Sequence, residues 1–146
     1  MTAAAIAAVV LAAPAANART AFGGDACGLL SAGQLKPVHV SPGCNQKSSA
    51  NTLGKVTVAT WGSIHGAFVM ANVYDVKPAY VARAKSVFDT RGTSVGVGDW
   101  SSFKGLANGK TVAEIDFGIG RTIVGIAVRT PTKQPLTSSK PVIAIA

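Results

Sequence analysis

Six acidic side chains, two histidines, two cysteines and 6% aromatic residues are few for a chain of 146, and each scarcity closes off a class of function. With only Cys27, Cys44, His39 and His65 as soft ligands, a structural zinc site would need them in close pairs, because one tight turn must present two ligands. Only His39 and Cys44 approach that spacing, so no metal is expected. Sparse aromatics and basic residues scattered singly, with no run of three, exclude the charged stripe and stacking platform of a nucleic-acid binder. The apolar run Ala3–Ala13 falls short of the roughly 20 residues that cross a bilayer. No internal repeat is present, and no glycine-rich stretch carries the offsets of a phosphate-binding loop: Gly96-x-Gly98 and Gly118-x-Gly120 both lack the third glycine. No cofactor is therefore expected.

What is present points outward from the cell. Residues 1–18 carry no charge, and their apolar run leads to Pro14 and then Ala16-Asn17-Ala18. That is the layout of a signal peptide cut before Arg19, leaving residues 19–146 as one domain with one core. In an exported chain two cysteines pair as a disulfide, and a Cys27–Cys44 bridge would stabilise the fold by roughly 3 kcal/mol in the chain-entropy model. The net charge of +8 lies wholly in that domain and reads as a solvated cationic surface able to attract anionic partners.

Periodicity sketches the fold. Ser31-x-x-Gln34 is a capping box opening a short helix that Pro37 stops. Val38 to Leu53, rich in Pro, Gly, Asn and Ser, reads as loop. Val56, Val58 and Thr60 alternate with Thr57, Ala59 and Trp61, and a turn around His65 joins this strand to a second over Ala67–Tyr74. Asp75 would cap the next helix, with Pro78 in its first turn and Tyr80, Val81, Ala84, Val87 and Phe88 as its buried stripe. Strands near Trp100–Leu106, over Val112–Phe117 and over Thr122–Arg129 would follow, turned by Asn108-Gly109 and Gly118-Ile-Gly120, with a last helix after Thr137. The expected class is α+β: an antiparallel sheet of about five strands, helices packed on one face, and one disulfide.

Candidates for chemistry are few. Gly92-Thr-Ser94-Val-Gly96 spells a nucleophile elbow, but a helix precedes it and a strand follows, the reverse of the strand-to-helix turn that exposes such a serine. Glu114 and Asp116 share one face of a strand and would form a carboxylate pair for acid–base work, or simply a solvated edge offset by Lys110 and Arg121. Trp61, His65 and Trp100 are the residues expected to line a ligand site, among end loops of the sheet. Asp99, after Gly96-Val-Gly98, is placed to hydrogen-bond turn backbone.

With those residues in view, the chain resembles the DUF3558 family of actinobacterial exported proteins, many of them lipoproteins. The carriers are Asp25-Ala-Cys27-Gly-Leu29-Leu30-Ser31-x-x-Gln34-Leu35, Cys44, Gly96-Val-Gly98-Asp99 and Gly118-Ile-Gly120, spanning about residues 25–146. The resemblance implies a disulfide-bearing α+β domain outside the cell membrane and supplies no reaction or catalytic residue. Two features depart from it: the lipobox cysteine common in the family is missing after the leader, and Asn45-Gln46 stands where an aromatic often follows the second cysteine.

The expected function is that of a secreted or envelope-associated, non-enzymatic binding or accessory domain. Its partner would be a small molecule, a lipid or another envelope component rather than nucleic acid, with no transmembrane segment once the leader is removed. The alternative is a small hydrolase or transferase acting on envelope polymers through Glu114 and Asp116, or through His65.

Overall fold

The computed structural model describes residues 25–63, 65–89, 92–104 and 112–130. The leader, the Asn108-Gly109 turn and the helix expected after Thr137 lie outside them. Asp25 caps a 3-10 turn over Ala26–Leu29 by accepting a hydrogen bond from the Gly28 N–H. Ser31 then begins α1 (Ala32–Leu35) with the capping box in full. The Ser31 N–H donates to Gln34 Oε1 at 3.0 Å, and Ser31 Oγ accepts from the Gln34 N–H at 3.3 Å. Pro37 converts the continuation to a 3-10 turn (Lys36–Val38), and His39 ends it in the left-handed region at φ 60°.

Six antiparallel strands follow: β1 (Cys44–Ala50), β2 (Gly54–Gly62), β3 (Phe68–Val76), β4 (Trp100–Lys104), β5 (Val112–Ile119) and β6 (Thr122–Arg129). Their order across the sheet is β1-β2-β3-β6-β5-β4. The chain thus builds a three-stranded unit, passes through a 3-10 turn (Pro78–Tyr80) and α2 (Val81–Asp89), and returns as a second unit whose last strand closes against β3. The sheet has one strand more than expected, because β1 falls in the stretch read as loop. It is an edge strand whose residues after Cys44 are all exposed, so no buried face imposes alternation on its sequence. Pairing with β2 defines it instead, with Cys44 opposite Trp61 and Ser48 Oγ bonded to Thr57 Oγ1 at 2.8 Å.

Pairing register sorts the side chains onto two faces. On the Trp61 face, Ala59, Trp61, Val69, Ala71, Val73, Ile115, Phe117, Val124, Ile126 and Val128 join Ala26, Leu30, Leu35 and Val38 in the main core. The Cys27–Cys44 disulfide fastens the N-terminal turn to the start of β1 on this side. On the opposite, Tyr74 face, Val76, Ile123 and Ala84 form a second cluster with Tyr74, Tyr80, Val81, Phe88 and Trp100. Helices therefore do pack on the sheet, but they divide between its faces: the N-terminal turns cover one, α2 the other. The β3-to-β4 crossover must pass over a face on its way to the far edge, and the N-terminal turns already occupy the Trp61 face. None of the helices among the described residues is long and apolar enough to cross a membrane.

Three local expectations are corrected. Asp75 caps no helix; it remains in β3, and Lys77 takes the cap position before Pro78. Gly118 is not a turn residue but a strand residue opposite Trp100, where an added Cβ would fall on the indole. The β5–β6 turn is instead made by Gly120 and Arg121, with Ile119 paired to Thr122. Asp99 serves that distant turn rather than its own loop, its carboxylate accepting from the Gly120 N–H at 2.7 Å.

Candidate functional site

Among the described residues, a groove of about 500 Å³ lies on the Tyr74 face, at the end of the sheet where the β1–β2 turn approaches α2. Its wall is fixed from the backbone upward. Asn51 Oδ1 accepts from the Leu53 N–H at 2.9 Å and the Gly54 N–H at 3.1 Å, which sets the turn. The Leu53 carbonyl accepts from the Lys77 N–H at 2.9 Å, tying that turn to the segment entering α2. Tyr74 and Val76 come from β3, and Tyr80, Arg83, Ala84, Val87 and Phe88 from the helical side. The helical residues recur at one-turn spacing and so line one face. Tyr74 and Phe88 close the base, ring centroids 5.6 Å apart and tilted by 50°.

The stripe expected to be buried is buried only in part. Ala84 is 4% exposed, whereas Val87 is 44% exposed and forms groove wall instead of core. An apolar side chain of that size left open in a concave site is more informative than a scattered surface valine. The one acidic residue of the lining, Asp75, pairs with Arg121 at 3.3 Å. Arg83 is exposed and forms no ion pair among the described residues.

Tyr74 carries the electrostatic signature of the site. Burial of its ring disfavours the phenolate, and the nearby charges of Asp116 and then Glu114 add to the effect, so its pKa is raised above the ordinary 10.0. The folded protein then holds this proton at pH values where the unfolded chain has released it. Stability is unaffected by Tyr74 below pH 10 and falls as pH rises beyond it. Because the chain has only two tyrosines, the Tyr80→Phe variant isolates the group. Its absorbance titration should show a midpoint above 10, and a midpoint at or below 10 would contradict the burial assigned to Tyr74.

The carboxylate pair lies on the same face, under a different part of the sheet. Asp116 is 1% exposed, not solvated as the strand pattern suggested, and Glu114 is partly exposed. Lys104, their neighbour on β4, reaches both: its Nζ lies 3.4 Å from Glu114 Oε2 and 3.9 Å from Asp116 Oδ2. Gly125 on the other side of β5 leaves room for the Asp116 carboxylate, since a Cβ there would press on Oδ1. One ammonium shared by two carboxylates offsets half of their charge, and neither carboxylate lines the groove.

The three residues expected to bind ligand are not brought together. Trp61 is 1% exposed in the core of its own face. Trp100 is on the opposite face, packed over Gly118 in the cluster beneath α2. His65 is exposed in the β2–β3 turn, at the end of β3 opposite to Tyr74 and Val76. No group of three or more His, Cys, Asp or Glu suited to a metal occurs among the described residues. Sequence reasoning missed the groove, although Asn51 before Gly54 and the over-long apolar stripe of α2 were its visible signals. Comparison of the chain with protein-family models, with curated proteins and with solved structures finds no match.

Proposed function

We propose that this chain is a non-enzymatic binding module of the cell exterior or envelope, holding the apolar part of a small ligand between the β1–β2 turn and α2. The observation that carries the reading is the groove itself. Its volume of about 500 Å³ lies within the range of roughly 300–1,000 Å³ that small-molecule sites occupy, and exposed Val87 forms its wall. Export through the 1–18 leader and kinship with the DUF3558-like proteins belong to the same proposal. The Cys27–Cys44 disulfide supports it by being compatible with an extracytoplasmic location.

The test uses a neutral, apolar fluorescent probe, N-phenyl-1-naphthylamine, with the oxidised protein. Val87→Trp, which fills the groove from an already exposed position, should weaken probe binding about tenfold, a change of 1.4 kcal/mol. Val112→Trp is the control, because Val112 is equally exposed at 46% but lies outside the groove. Absence of probe binding, or equal effects of the two substitutions, would refute the reading.

A further inference from the structure

We propose that the groove's ligand is a single-chain amphiphile carrying one carboxylate, its acyl chain in the groove and its head against Arg83. The inference rests on the binding reading above and goes beyond it by naming the ligand class. The apolar part follows from Leu53, Val76, Val87 and Phe88; a cavity of that volume takes one small ligand, hence one acyl chain and not a two-chain lipid.

The head group follows from charge. Arg83 sits on the helix one turn from both Tyr80 and Val87, so it borders the apolar wall, and no carboxylate among the described residues pairs with it. Asp75, though part of the lining, is bound to Arg121, and β3 alternation sets its side chain away from Tyr74 and Val76. Lys55, across from Asp75 in the ladder, also lines the groove, with alternation along β2 setting its side chain away from Val56 and Tyr74. A guanidinium with no ion-pair partner among the described residues, beside an apolar channel, matches one planar carboxylate, which it can hold through two parallel hydrogen bonds. The net charge of +8 adds long-range attraction for any anion, so local recognition has to be separated from global charge.

The experiment measures displacement of N-phenyl-1-naphthylamine by laurate and by 1-dodecanol, both below their aggregation limits, and by dodecyl phosphate. Laurate should compete about tenfold more strongly than the alcohol, and more strongly than the phosphate. Arg83→Gln should abolish the preference over the alcohol, read as the ratio of the two competition constants measured against that variant's own probe affinity. Lys85→Gln, an exposed change on the same helix outside the groove, should preserve the preference. Equal competition by laurate and dodecanol, a stronger effect of the phosphate, or loss of preference in both variants would overturn the assignment and leave the apolar groove standing. Failure of the wild type to bind the probe at all would remove both proposals together.

Discussion

Replacing Lys104 with methionine should lower the unfolding free energy by about 3 kcal/mol, because it removes a cation that offsets the burial of a carboxylate. Asp116 is 1% exposed in the middle of β5, and the Lys104 ammonium lies 3.9 Å from Oδ2. Taking a carboxylate out of water costs several kcal/mol, and an adjacent opposite charge offsets that cost only while it is there. Methionine keeps an apolar stem of similar length, so lost packing is minor. In an Asp116→Asn background the same substitution should cost under about 1 kcal/mol. What remains there is the contact with Glu114, whose side chain is 43% exposed and whose pairing is correspondingly weak. Urea denaturation of the four proteins closes a double-mutant cycle. Equal losses from Lys104→Met in the two backgrounds would show that the lysine does not compensate Asp116.

Cys27→Ala with Cys44→Ala should cost about 3 kcal/mol, the loop-closure contribution of a bridge between residues 17 apart. The location makes the effect local as well as global. After Cys44, β1 has only exposed side chains and one neighbouring strand, so little hydrophobic burial holds it. Hydrogen exchange should therefore show β1 amides losing protection first, while central β3 and β6 keep theirs to the global transition. A thermal midpoint unchanged by removal of the bridge would refute this account. So would uniform loss of protection across the sheet.

Much of the fold was legible where one side of an element meets water and the other meets the core. The alternation from Val56 to Trp61 separated the two faces of β2, and the structure places Ala59 and Trp61 in the main core with Thr57 buried on the same side. The capping box at Ser31 and Gln34 formed as spelled, because it is closed by atoms three residues apart. Legibility failed in two opposite circumstances. In β1 neither face is buried, so no pattern was imposed. In β5 the residues Ile115–Gly118 are buried on both faces, and alternation no longer tells inside from outside; Asp116 was read as solvated for that reason. The binding residues fared worst. Trp61 and Trp100 are both large amphipathic side chains near strand ends, and nothing in their local sequence says that one faces the N-terminal turns and the other faces α2.

By itself, the sequence determined the antiparallel α+β class, the disulfide partners, the main hairpin and the helix between the two strand units. All of these depend on local chemistry: turn residues, caps, periodicity, and two cysteines with no other partner. Tertiary structure alone decided that β6 rather than β4 closes against β3, that helices cover both faces, and that Val87 borders a groove in place of core. Each depends on which surface reaches a given side chain first, and that is fixed by packing between segments far apart in the chain. The groove belongs to this second kind: its walls come from residues 51–55 and 74–88, and its volume is the gap their packing leaves open.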